Sequence, residues 1–257
     1  AALFLVLGAV VTGSFEGGDG FPAGVRHAAL DCIPYGRYVH LMPRPTRHAP
    51  ERGDARTRLL EAARDVIRTR GFAATTVDDL CRAAGVTKGA FFHHFRSKAA
   101  LGVAVAGFWA ETTGALFEGA PHHAPADPLD RVLAYVDFRR ALVSDDIPAF
   151  TCLAGTLAQE VHATAPDIRD AAAAGIFGHA ETLEPDIAAA MEAHGIVPDG
   201  WSAASLARHC QAVLQGGFIL AKAANDPDLA REAIDHLGRY VRHLFGVAPA
   251  ASREDPK

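Results

Sequence analysis

GFAATTVDDLCRAAGVTKGAFFHHFRSKAAL, residues 71–101, carries three helix signals in thirty-one residues. Thr76 is a good N-cap, with Asp79 three residues on as a variant of the capping box. Val77, Leu80, Cys81 and Ala84 then form the apolar face of a short helix. Gly85 makes the turn, and Thr87 caps a further helix that runs to about Phe95 and turns Phe91 and Phe95 inward. A longer helix precedes the pair. From Asp54 onward Leu59, Leu60, Ala63, Val66 and Ile67 recur at three- and four-residue spacing, and Gly71 ends the stripe with Arg68 and Arg70 in the last turn. Two short helices about a glycine turn, behind a longer one, make a helix-turn-helix in a three-helix head.

Charge supports that reading. Residues 51–100 hold ten Lys/Arg against six Asp/Glu, whereas residues 101–257 hold eleven against twenty-one, although the whole chain is only −5. A basic module on an acidic body suits phosphate neutralisation, which needs local positive charge.

At this point a family resemblance becomes specific. Gly71-Phe72 after the first helix, Thr76-Val77 opening the second and Ala84-Gly85-Val86 at the turn are joined by Lys88-Gly89 before the aromatic pair Phe91-Phe92, then His94, Phe95 and Ser97-Lys98. With the first helix this covers about 45 residues without gaps and resembles the DNA-binding signature of TetR-type regulators. The resemblance implies a homodimeric transcription repressor, bound to double-stranded operator DNA and released by a small-molecule effector. It places Lys88, Gly89 and Ala90 at base edges in the major groove, with Thr87 beside them, and Thr76, Phe92, His93, His94 and Lys98 toward the phosphates. Two positions depart from the pattern. Phe92 stands where a tyrosine hydroxyl is usual, and Asp78 adds a negative charge near the expected DNA face.

The rest of the chain is rich in Ala and Leu and poor in β-branched runs, so the fold class is all-α, a helix-turn-helix head on a larger helical body. The expected division is an extension over 1–53, a DNA-binding domain over 54–98, a ligand-binding and dimerisation domain over 99–247 and a tail over 248–257. Leu3–Val11 is apolar but short of the ~20 residues a membrane span requires and lacks the basic start of a secretory signal; no membrane partner is expected. Gly- and Pro-rich sequence without period follows. A chain starting at Met42 would keep a basic arm, Arg44, Arg47 and Arg52, and whether residues 1–41 are native is left open. Cys32, Cys81, Cys152 and Cys210 contain no C-x-x-C pair, which fits a reducing cytoplasm.

Helices are expected at about 97–118, 127–143 behind Asp127-Pro128, 149–164, 167–194 with a break near Glu184 ahead of Pro185, 202–224 and 226–245. The last two are apolar on wide faces: Leu206, Val213, Leu214, Phe218, Ile219 and Leu220, then Leu229, Ile234, Leu237, Val241, Leu244 and Phe245. Pairing with a second copy as a four-helix bundle would bury them, and Leu237 and Val241 are expected in that interface. An effector pocket between the body helices would draw on Trp109, Phe150, Cys152, Gln159, His162, Phe177, His179, His209 and Gln211. His122-His123, in a Pro-rich loop, should be solvated. No His/Cys/carboxylate cluster has metal-ligand spacing, and no cofactor is implied. The phosphate loop, the serine-nucleophile elbow and helical H-E-x-x-H are missing, so enzyme readings fare poorly. Recruitment of a protein partner on DNA, or activation, are the alternatives to a released repressor.

Overall fold

A computed structural model describes residues 54–247. The extension, the basic arm and the tail lie outside them. Among the described residues every regular element is helical.

Helix α1 (Ala55–Arg70) begins where Asp54 accepts the Thr57 amide at 2.7 Å. It ends at Gly71, whose φ of +85° is a glycine conformation; a Cβ there would also run into the Glu160 carboxylate. Helix α2 (Val77–Ala84) starts with the complete capping box of Thr76 and Asp79 and closes at Gly85 in the left-handed region. Helix α3 (Lys88–His94) is capped by Thr87, which accepts the Ala90 amide at 3.2 Å. Leu59, Leu60, Ile67, Leu80, Phe91 and Phe95 are all buried between these three helices, as the periodicity predicts.

Helix α4 (Lys98–Glu118), capped by Ser97, runs from the head into the body. By length and composition it could cross a membrane. Here it lies against α1 and helices α7 (Leu153–Val161) and α8 (Pro166–Glu181). Helix α5 (Pro128–Ala141), α9 (Glu184–Ala193), α10 (Ala203–Ala224) and α11 (Asp228–Leu244) form the far half of the body, with α10 and α11 as an antiparallel pair packed on α5 and α9.

Three expectations change. The helix foreseen over 149–164 is broken into α6 (Ile147–Phe150) and α7, because Thr151 and Cys152 are extended. The Thr151 carbonyl turns to accept Arg68 Nε–H from α1, and Cys152 Sγ becomes the cap of α7 by accepting the Gly155 amide at 3.4 Å. His122, in a 3₁₀ turn over Pro121–His123, is buried among Phe117, Tyr135 and Phe138 instead of solvated. Leu237 and Val241 lie in the chain's own core beside α5, so they cannot form a dimer face.

Two apolar cores result. One joins the head to α4, α7 and α8 through Leu101, Val105, Leu153, Leu157 and Ile168; the other fills the far body. The expected boundary at 98/99 therefore runs through a shared core. Gly102 permits it: a Cβ would come within 2.6 Å of Ile168 and 2.9 Å of Phe72.

Candidate nucleic-acid interface and effector cleft

Local sequence presents the third helix of the head outward. Phe91 anchors it inside, and one residue further round Phe92 is 54% exposed, its ring edge-on to Phe91 at 5.2 Å. Thr87, Lys88, Gly89 and His93 are exposed on the same element, with Ala90 and His94 half-buried. A Cβ on Gly89 would meet only Thr87 Oγ1 at 3.7 Å, so nothing inside the protein demands glycine there. The exposed backbone is free for a close approach from outside.

Two residues are already engaged. Lys88 Nζ lies 2.8 Å from the Asp78 carboxylate of α2, which raises the lysine pKa through that hydrogen bond and charge. Thr76 Oγ1 donates to Asp79 Oδ2 at 2.6 Å. Those Thr76 bonds hold the Asp79 carboxyl near pKa 2, with Arg82 and Arg70 assisting. Lys98 is held by carbonyls instead of by an acid. Its ammonium turns inward, donating to the carbonyls of Phe72 and Thr75 at 2.9 Å each and resting 4.5 Å from the Phe72 ring centroid. It ties the loop between α1 and α2 to α4, with its donors taken up by carbonyls that leave its positive charge in place.

Behind the head a cleft with a cavity volume of about 70 Å³, partly open to solvent, sits on the seam between the two cores. Trp109, Ala154 and Ile176 line it from one side, and Phe117, Val143, Phe150 and Phe218 from the other. Of the residues expected to line a pocket, Trp109, Phe150, Cys152, His179 and Gln211 do so. Gln159 borders an adjoining, more open cleft that shares Cys152, Gln215 and Phe218. His162 is exposed at the C-terminal cap of α7, Phe177 is 52% exposed on α8, and His209 is exposed on α10 against the ring of Tyr240 at 5.0 Å. Phe177 and His209 occupy the outer stripes of their helices, which periodicity alone could not orient. Arg139, Thr113 and Gln215 were missed; Arg139 in particular reads in sequence as half of a solvated Arg-Arg pair.

The polar groups of the cleft form a chain. Gln211 Nε2–H donates to Tyr135 Oη at 3.2 Å, and that hydroxyl lies 3.0 Å from His179 Nε2. The hydroxyl that accepts from Gln211 keeps its own O–H to give, and the His179 tautomer protonated on Nδ1 offers Nε2 to receive it. Burial, then the charge of Arg139 and then His122 pull the His179 pKa down to about 3, so its imidazole is neutral. Burial pushes the Tyr135 phenol up.

The head is gripped where the cleft wall begins. Thr151, between the cleft residues Phe150 and Cys152, accepts Arg68 Nε–H at 3.0 Å, and the Arg68 guanidinium lies 5.0 Å from the Trp109 ring centroid. Glu160 of α7 accepts the Ala73 amide at 2.8 Å.

Residues 59–105 match the family model for bacterial regulatory proteins, tetR family, and residues 128–237 match that for the tetracyclin repressor-like C-terminal domain. The chain belongs to the TetR family. The regulator is 29% identical to the transcriptional regulator AcuR of Cereibacter sphaeroides over 138 residues, 54% of this chain and 61% of AcuR, under two thirds of that protein's length. It is 28% identical to the HTH-type transcriptional repressor NemR of Escherichia coli K12 over 193 residues, 73% of this chain and 94% of NemR. The crystal structure of reduced E. coli NemR matches with a TM-score of 0.63 at 26% identity, covering 72% of this chain and 95% of that one. A TetR-family regulator from Agrobacterium tumefaciens shares the fold, with a TM-score of 0.64 at 19% identity over 72% of this chain and 96% of that one. The chain is a DNA-binding transcriptional regulator.

Proposed function

We propose that the regulator is a cytoplasmic repressor that binds a pseudo-palindromic operator as a homodimer and is released by a small molecule held in the cleft at the seam of the two cores. The observation that carries this reading is the grip on the head. The segment Phe150–Cys152 is at once a wall of the cleft and, through Thr151, a hydrogen-bond partner of a head helix. A ligand that displaces this wall moves Arg68 and, through α7, the Ala73–Glu160 contact, so the two heads of a dimer lose their register. By linkage operator DNA weakens ligand binding by the same factor.

Lys88, Gly89, Ala90, Phe92 and His93, exposed together or nearly so, form the face presented to the groove, with Thr87, Thr76 and His94 at its margin. Dimerisation uses the stripe of α10 and α11 that the chain itself leaves open, including Val213, Ile219 (45% exposed), Leu220 (54%) and Tyr240 (42%).

Selection of bound duplexes from a random library, followed by sequencing, tests the DNA half. The expected product is an inverted repeat with half-site centres about 34–36 Å apart. A single asymmetric site would sink the dimeric reading.

A further inference from the structure

Charge in the cleft is distributed in a way that identifies the chemistry of its ligand. Of the 17 residues lining it, Arg139 alone carries a formal charge at neutral pH, and there is no acid among them. The other arginines of α5 each hold a carboxylate: Arg131 meets Asp186 at 2.8 Å and Arg140 meets Asp235 at 2.7 Å. Arg139 meets none among the described residues. Its guanidinium sits between two aromatic faces, 5.0 Å from the Phe117 centroid and 5.7 Å from that of Phe218, a cation–π seat that steadies the ion without neutralising it. Its five N–H donors are left for something else.

From this arrangement, and resting on the proposal that the cleft is the effector site, we infer that the effector is an organic anion: a carboxylate paired with Arg139 and carried on an apolar or aromatic body. The rest of the lining agrees. Trp109, Leu116, Val143, Phe150 and Ile176 would enclose the body. An amine would face an arginine with no acid to receive it, and a neutral amide would forgo the bidentate pairing that guanidinium and carboxylate geometry allow. His179, held neutral by burial down to about pH 3, adds no second cation, so the site selects one negative charge.

Isothermal titration of the full chain with octanoate, octanamide and octylamine, and with cinnamate and cinnamamide, tests this. Carboxylates should bind ~10- to 100-fold tighter than their amides, the span expected for a charged hydrogen-bonded pair, and the amine weakest. Arg139→Gln should erase the preference by weakening the carboxylates far more than the amides, and Arg139→Lys should keep part of it. Failure of both carboxylates to bind, an amine that binds as tightly, or a preference that survives in folded Arg139→Gln would overturn the inference. If Arg139→Gln does not fold, the ladder of carboxylate, amide and amine on the unaltered chain and the Arg139→Lys variant still decide it. The same compounds added to the operator complex separate the two proposals. Carboxylates that bind through Arg139 without releasing DNA refute release alone, whereas release by a neutral or cationic compound, with no carboxylate bound, refutes the anionic effector alone.

Discussion

Replacing Arg68 by methionine should leave the fold almost as stable as before while disconnecting the cleft from the head. Arg68 is 6% exposed, its Nη2 has no partner among the described residues, and Thr151 Oγ1 beside it is equally unpaired. Burial lowers its pKa from 12.5 to about 10. At about 1.36 kcal/mol per pH unit that fall corresponds to roughly 3 kcal/mol of destabilisation. The sign follows from proton binding: the unfolded chain keeps the proton to higher pH, so the cost is present in full below pH 10 and is relieved only above it. Methionine removes this term. It also loses the bond to the Thr151 carbonyl, about 1–3 kcal/mol because the acceptor is left buried, and the contact with Trp109, about 1 kcal/mol. The opposing terms leave urea-unfolding stability within about 1–2 kcal/mol of the parent, as is common when a buried unpaired charge gives way to an apolar side chain of similar volume. Operator affinity, read by fluorescence anisotropy with and without a cleft-binding carboxylate, should respond differently. The parent should show coupling in the usual range of about 5- to 150-fold, and the variant under about threefold. A variant of unchanged stability that is still released as well as the parent would refute Arg68 as the connection. A loss of more than about 4 kcal/mol would show that it serves chiefly to seal the head against the body.

Phe92→Tyr places a hydroxyl on an exposed ring; it should leave the melting temperature unchanged and raise operator affinity by about fivefold per half-site, from one phosphate hydrogen bond of about 1 kcal/mol, and equal affinity by anisotropy would count against the assigned DNA face. Asp78→Asn frees Lys88, so operator binding should tighten and its salt dependence steepen by about one counterion per head; weaker binding would mean that Asp78 itself reads a base. Leu220→Glu with Tyr240→Glu should yield folded monomers in sedimentation, whereas Leu237→Glu should unfold the chain, since Leu237 is 2% exposed inside it. His122 and His179 are held neutral by burial, to about pH 4 and about pH 3, whereas unfolded histidine titrates near 6.5. Stability measured by urea unfolding should therefore be flat between about pH 7 and 8 and fall below 6.5 by up to about 1.4 kcal/mol per pH unit for each. A profile unchanged by His122→Gln would contradict the burial of that ring.

The DNA-binding head is legible in sequence because its determinants are local. Gly71 and Gly85 supply positive φ, Thr76, Thr87 and Ser97 each bond an amide within three residues, and Phe91 and Phe95 alternate inward at helical spacing. Such terms depend on near neighbours and survive without tertiary context. Apolar stripes likewise announced the body helices. What period cannot say is which neighbour covers a stripe: α11 has Leu237 and Val241 toward α5 and Tyr240 toward the outside, and only packing separates them. The break at Thr151–Cys152 comes from an arginine 83 residues earlier in the chain, and the buried His122 from aromatic rings on α4 and α5. The cleft follows the same rule. Trp109, Arg139, Phe150, His179 and Gln211 are set together from α4, α5, α6, α8 and α10, and the single charge in that cleft looks in sequence like an ordinary surface arginine. Its meaning depends on the acids absent from its surroundings, and those surroundings exist only once the helices have packed.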